Sequence, residues 1–215
     1  MDECPNVADW DGMGHMVAID QEQLRMPPEI QTRSGSYFNF LHPEQSEFTI
    51  EDIAHALSKL CRFTGHTRTF YSVAQHSGIV SAIVSPEHAL AGLLHDASEA
   101  FLNDISSPLK QLLPEYRTIE KRVERVILNR FGLPSTLPQE VKQADLILLA
   151  TEKRDLMPGK IDNHWDIVSD VQPLPWPIQP MVPELAYRYF MYCFKLHSKR
   201  HSLYLYVDRP HPSAE

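Results

Sequence analysis

The sequence has little cysteine, no long apolar run and no surplus of positive charge, and each shortage removes a class of protein. Its three cysteines, Cys4, Cys61 and Cys193, are spread over 215 residues without a Cys-x-x-Cys pair. An odd, scattered set gives neither a disulfide framework nor a zinc knuckle, so a reducing cytoplasm is the expected compartment. No apolar stretch approaches the roughly 18 to 20 residues that cross a bilayer. The opening Met1-Asp2-Glu3-Cys4-Pro5 lacks the basic start and apolar run of an export signal. Twenty Lys and Arg against 28 Asp and Glu leave a net charge of -8, which argues against coating a nucleic-acid polymer or an anionic membrane. An anionic ligand would have to find a local basic pocket. Internal repeats, low-complexity tracts, a Gly-rich phosphate loop and a Gly-x-Ser-x-Gly elbow are all missing.

What remains is a chain of ordinary globular composition, 43% hydrophobic and 22% charged, long enough for one domain with appendages. Ile50, Ile53, Ala54, Leu57 and Leu60 recur at helical spacing, with Thr49 as N-cap and Glu51 and Asp52 in the first turn, so a helix is expected to end near Cys61. Further helices are expected from Ser72 to Val84, from Pro86 toward Leu102, from Pro114 to Phe131 with Gly132 and Pro134 closing it, from Pro138 to Leu156, and from Glu184 to His197. Five prolines between Val171 and Pro183 forbid regular helix or central strand there and predict a wrapping loop. The Ser-Gly-Ser of Thr32 to Leu41, set before an aromatic run, predicts a short hairpin or arm. The reading is an all-α domain with an N-terminal β-hairpin: an arm over 1–48, a helical core over 49–160, and a Pro-rich wrap with a last helix over 161–215.

Eleven histidines direct attention to the imidazoles. In Leu93-Leu94-His95-Asp96-Ala97-Ser98-Glu99, an imidazole and a carboxylate stand side by side on an otherwise apolar helix face, and a buried charge there needs a partner. No neighbouring Lys or Arg offers one, whereas a borderline divalent cation would suit both ligand types. His76 and Asp145 likewise interrupt apolar helical patterns and are candidates for two further ligands.

The order His76, His95-Asp96, Asp145 resembles the H…HD…D signature of the HD-domain metal-dependent phosphohydrolases. The segments FYSVAQHS, LLHDASEAFLNDISSPLK and QADLILLATEKRDL follow in that family's order, and IEDIAHALSKLCRF extends the likeness to about Thr49, roughly half the chain. The single-domain branch with 5′-deoxynucleotidases and bacteriophage dATP triphosphohydrolases is the one it is most similar to. The resemblance implies that His76, His95, Asp96 and Asp145 bind a divalent metal (Co, Mn, Zn or Mg), with open positions for water and a phosphate oxygen. It implies Glu99 as catalytic acid or base, Asp104 as a second acid orienting the water or another cation, and Lys110 as a phosphate-neutralising lysine. Arg62 and Phe63 stand where relatives have Arg-Trp, for phosphate and sugar, and His66 is a further candidate for the phosphates.

The implied activity is hydrolysis of dATP to deoxyadenosine and triphosphate, with a deoxynucleotide substrate and a homo-oligomer in the cytoplasm, that of the host if the protein is phage-encoded. Lys153 and Arg154 would add cations suited to several phosphates. A 5′-deoxynucleotidase cleaving monophosphates is the enzymatic alternative, and a non-catalytic nucleotide sensor the alternative from another class. Ala100 after Glu99 departs from the guanosine tetraphosphate hydrolases, and no Gly-Tyr-Pro supports a cyclic-dinucleotide phosphodiesterase. His55 is as readily a satisfied core residue as a functional one. His15, His42, His88, His164 and His211 are expected at the surface, and Lys195 to His201 as a solvated helix end.

Overall fold

A computed structural model describes residues 26–159 and 165–201 in full and the backbone alone at 8–10, 16–18 and 202–207; Cys4, His15, His164 and His211 lie outside the described residues. Eight α-helices are found among those residues. Helix α1 (Ile50–Lys59) starts as its sequence predicts: the Thr49 hydroxyl accepts from the Asp52 N–H, and the Asp52 carboxylate accepts from the Thr49 N–H, a reciprocal cap. Helix α2 (Val73–Ile83), capped by Ser72, is buried on most of its circumference, which marks it as the central helix. Around it come α3 (Ala89–Leu94), α4 (Glu99–Leu102), α5 (Ser107–Lys110), α6 (Pro114–Arg130), α7 (Gln139–Leu156) and α8 (Pro183–Val207). Helix α2 packs on α1, α3, α7 and α8. An added Cβ at Gly78 would stand 2.3 Å from the Tyr189 ring, so α8 reaches α2 only because that position carries no side chain.

The long helix expected from Pro86 to Leu102 is instead two short ones. Pro86 lies in a turn, α3 begins at Ala89, and helical hydrogen bonding changes character over His95 to Ser98. There the chain tightens: the Ala97 N–H bonds the Leu94 carbonyl at 3.1 Å and the Glu99 N–H bonds the Asp96 carbonyl at 3.0 Å. Bonds of this i to i+3 kind eclipse residues three apart, which aligns Asp96 with Glu99. The apolar period runs unbroken through the segment and so conceals the interruption. Helix α6 closes as expected, Gly132 taking φ +73 while the Leu133 N–H reaches back to the Leu128 carbonyl at 2.9 Å. The last helix runs beyond the expected His197 to Val207.

Two antiparallel pairs precede the helices. Strand β1 (Ala8–Trp10) pairs with β2 (Met16–Ala18), and β3 (Glu29–Gln31) with β4 (Tyr37–Asn39), Ile30 opposite Phe38. The second is the hairpin expected over Thr32 to Leu41, begun three residues earlier. Phe38 stacks on Phe101 of α4 with centroids 3.9 Å apart, and the Ser34 N–H donates to Asp52 at 2.7 Å, so one carboxylate caps α1 and holds the hairpin turn. The Pro-rich segment is irregular, as expected. It is latched by side chains of α2 and α7: Gln75 Nε2 donates to the Gln179 carbonyl at 2.7 Å and Gln75 Oε1 accepts from Met181 N–H at 2.8 Å. Thr151 accepts from Leu174 N–H at 2.9 Å and Asp155 from Ile178 N–H at 2.8 Å. No helix among the described residues is long and apolar enough to cross a membrane.

Candidate metal centre

Three elements bring the imidazoles and carboxylates together. Helix α2 carries His76, fully buried; the tight turn after α3 carries His95 and Asp96; α7 carries Asp145. One ligand atom each from His76, His95 and Asp145 lie within 4.8 Å of one another. His76 Nε2 is 3.3 Å from His95 Nε2, 3.2 Å from Asp145 Oδ1 and 3.5 Å from Asp96 Oδ2. Asp96 Oδ2 in turn lies 3.1 Å from His95 Nε2, so the fourth expected ligand stands at the same point.

The outward nitrogens fix what the inward ones can do. His95 Nδ1 lies 2.8 Å from the Gly92 carbonyl, which can only accept, so that nitrogen carries the proton. His76 Nδ1 lies 2.6 Å from Glu152 Oε1. With both Nδ1 atoms donating, the two Nε2 atoms face each other and two carboxylates, where each can hold either a proton or a metal ion. Two bare lone pairs at 3.3 Å would repel, so an electrophile, either a proton or a metal ion, belongs among them. Two nitrogens each about 2.0 to 2.1 Å from a tetrahedral ion would be about 3.3 to 3.4 Å apart, the spacing observed. The outer partners are also those that orient metal-binding histidines. The residues present therefore fit a metal ion.

The charge inventory points the same way. With both imidazoles neutral, as metal ligation requires, Asp96, Asp145 and Glu152 are balanced by Arg62 alone, leaving two negative charges that a divalent ion would cancel. Arg62 lies 3.4 Å from Asp96 and 3.2 Å from Glu152, which corrects the expectation that no Lys or Arg compensates Asp96. The partner is distant in sequence and near in space. Burial and the Arg62 charge would depress His76, yet Glu152 and Asp145 outweigh them and raise it to about 10. Burial acts to raise Glu152, but Arg62 and His76 hold it below the usual carboxylate range. Asp96 is likewise kept low against burial by His95, His76 and Arg62.

Glu99 contrasts with these acids. It is 5% exposed, its Oε2 has no hydrogen-bond partner, and Oε1 is 3.5 Å from Lys110 Nζ. Burial first, then the charges of Asp96 and Asp104, push its pKa well above the usual range. Asp104 is raised for similar reasons, burial leading. The backbone between them is constrained, Asn103 standing at φ +67 and ψ 160, a region nearly confined to glycine. A carboxyl whose proton is held more tightly than usual is suited to exchange a proton with a bound substrate or water.

Other expected residues fare differently. Lys110 is bound to Glu120 at 2.5 Å as well as to Glu99, so it is already half neutralised. Phe63 and Thr64 take the left-handed conformation at φ +54 and +53. Phe63 faces Trp165 with centroids 5.7 Å apart and lies under the Arg62 guanidinium at 5.4 Å. His66 ends that turn and is exposed, so its ring does not join the buried cluster. Lys153 sits over Trp165 at 5.6 Å. Arg154 donates to the Leu174 and Trp176 carbonyls at 2.6 and 3.0 Å. Arg154 thereby fastens the wrap, while Lys153 stays beside Trp165.

Away from the centre, His55 is half-buried and His42 pairs with Glu44 at 3.6 Å. His88 lies at the partly exposed surface, where it bonds Glu140 at 2.5 Å. His197 is buried, which corrects the solvated helix end at that residue. Sequence reasoning missed Glu152 and Trp165. Glu152 lies seven residues after Asp145 and hence on its helix face, a signal that was available; Trp165 carried none.

No family model matches the chain. It is 43% identical over 164 residues to the uncharacterized protein YfdR of Escherichia coli, an alignment spanning 75% of this chain and 91% of that protein. It is 36% identical over 121 residues to an uncharacterized protein of Rhodobacter capsulatus, spanning 52% of this chain and 62% of that protein.

Proposed function

The chain belongs to the family of Escherichia coli YfdR, and from its own residues we propose that it is a metal-dependent phosphohydrolase of the HD-domain kind, acting on deoxynucleotides. The observation that carries the reading is the pair of His76 and His95 Nε2 atoms 3.3 Å apart, each ring committed through Nδ1 to another acceptor and flanked by Asp96 and Asp145. His76, His95, Asp96 and Asp145 would hold a divalent ion, Mn, Co, Zn or Mg. Such an ion supplies a water of lowered pKa and polarises a phosphoryl oxygen.

The chain's own residues would do the rest. Glu99, its pKa raised by burial and neighbouring acids, exchanges a proton with the attacking water or the departing sugar oxygen, a contribution on the order of 100- to 10,000-fold. Arg62 and Lys110 offer positive charge to the equatorial oxygens. Lys110, now 3.5 Å from Glu99, can do so by turning from that acid as the substrate's charge competes for it. Phe63 and Trp165 give an apolar wall for the nucleoside.

The resemblance favours dATP cleaved to deoxyadenosine and triphosphate. A second reading is favoured by the cations: Lys110 is shared with Glu120 and Arg154 is spent on the wrap, which leaves fewer charges for three phosphates and suits a monophosphate. Product chromatography over all deoxynucleoside mono- and triphosphates with Mn, Co, Mg and Zn separates the two. Nucleoside plus triphosphate supports the first, nucleoside plus phosphate the second. No turnover of either with any metal would overturn the phosphohydrolase reading and return the chain to a nucleotide sensor.

A further inference from the structure

The carboxylate of Glu152 is fully buried on α7, takes no place in the ligand set, and touches two parts of the centre at once. Its Oε1 is 2.6 Å from His76 Nδ1 and its Oε2 is 3.2 Å from Arg62, whose other terminal nitrogen is 3.4 Å from Asp96. We propose that Glu152 is the positioning residue of the metal centre, setting the ring angle and tautomer of His76 directly and steadying Asp96 through Arg62. The inference rests on the metal-binding reading above.

The geometry makes the role specific. Glu152 is held from both sides, so neither oxygen is free to rotate away. Only a carboxylate meets both demands, because each neighbour is a donor and each needs an acceptor. A glutamine in the same place has one acceptor and one donor. If its oxygen serves His76, its amide N–H confronts the Arg62 guanidinium; if it serves Arg62, the imidazole faces another donor and its proton is driven to Nε2, where the metal would bind. Outer partners of metal-binding histidines are worth about 10- to 100-fold in affinity.

The test is titration of the metal-stripped protein with Co(II), read by its visible absorption, for wild type, Glu152→Gln and Glu152→Asp, with far-ultraviolet circular dichroism and Tm on each. The expected result is wild-type binding, a 10- to 100-fold weaker Kd with an altered Co(II) spectrum in Glu152→Gln, and partial recovery in Glu152→Asp, which restores two acceptors on a shorter stem. A Glu152→Gln protein that folds and binds Co(II) with wild-type Kd and spectrum would overturn the inference while leaving the metal centre standing. Absence of binding by wild type would overturn the metal centre itself. Should Glu152→Gln fail to fold, the paired Arg62→Met and Glu152→Gln variant removes charge and counter-charge together. Weaker Co(II) binding in that folded pair supports the positioning role, and undiminished binding refutes it.

Discussion

Replacing Arg62 by methionine keeps most of the side-chain volume and deletes the charge, which isolates the electrostatic part of the buried network. The guanidinium stands 3.2 Å from Glu152 and 3.4 Å from Asp96. At an effective dielectric near 20, each contact represents about 5 kcal/mol of gross attraction. Most of that is offset by the cost of taking the guanidinium out of water, so about 10 kcal/mol is no measure of the net. Removing one partner of a buried pair typically costs about 3 to 5 kcal/mol, because the remaining charge is stranded. Here Glu152 retains His76 and Asp96 retains both imidazoles, which places the expected loss at the low end, about 3 kcal/mol. For a chain of this size, roughly 2 to 4 °C of Tm accompany each kcal/mol, so a fall of about 6 to 12 °C is expected. Urea unfolding of the metal-stripped protein at pH 7 measures it directly, with the slope unchanged and the midpoint lowered. A loss below about 1 kcal/mol would mean that Arg62 does not hold these carboxylates together.

Other outcomes follow from the same geometry. Asp96→Ala removes an oxygen lying 3.1 Å from His95 Nε2, and elemental analysis of protein purified without chelator should show metal in the wild type and little in the variant. Glu99→Gln should keep its metal and lose about 100-fold or more in turnover on whichever deoxynucleotide proves to be cleaved; normal turnover would remove Glu99 from the chemistry. Gly78→Ala drives a methyl group into the Tyr189 ring and should cost about 1 to 3 kcal/mol by thermal unfolding. Glu140 is held down to about 2 by hydrogen bonds from Ser85, then His88. A depressed carboxyl stabilises above its ordinary pKa of 4.5 and ceases to as pH falls through about 2. The gap between wild type and Glu140→Gln, about 0.5 to 1 kcal/mol at this exposed site, should be constant above pH 4.5 and close between 4.5 and 2; a gap persisting at pH 2 would contradict the assignment.

Helix existence was legible because apolar spacing is a local property: Ile53, Ala54 and Leu57 announce α1, and Thr49 its start. The break at His95 to Ser98 was not, since an apolar period reads alike through a helix and a tight turn, and only the hydrogen bonds differ. The four metal-ligand candidates could be picked out because each places a polar group inside an apolar pattern. Their counter-charge could not. Arg62 sits 34 residues from Asp96 and 90 from Glu152, and no sequence window joins them. Arg154 misled for the opposite reason: proximity to Asp145 along the chain does not decide the direction in which a helical side chain points, and its guanidinium is committed to the wrap.

The proline-rich wrap carries a consequence for how tightly the centre is built. Gln75, which grips it at both Gln179 and Met181, is the neighbour of His76; Thr151, which grips it at Leu174, is the neighbour of Glu152. The same strap therefore ties α2 to α7 one residue away from the groups that must stay in register. Prolines restrict the chain before it folds, so less freedom is surrendered when the strap is laid down. It acts as a brace whose stiffness is bought in the unfolded state. A site braced in this way gives up little disorder when its ligand arrives, and shortening the strap or replacing its prolines by alanine should loosen metal binding from a distance of two helices without altering a single ligand.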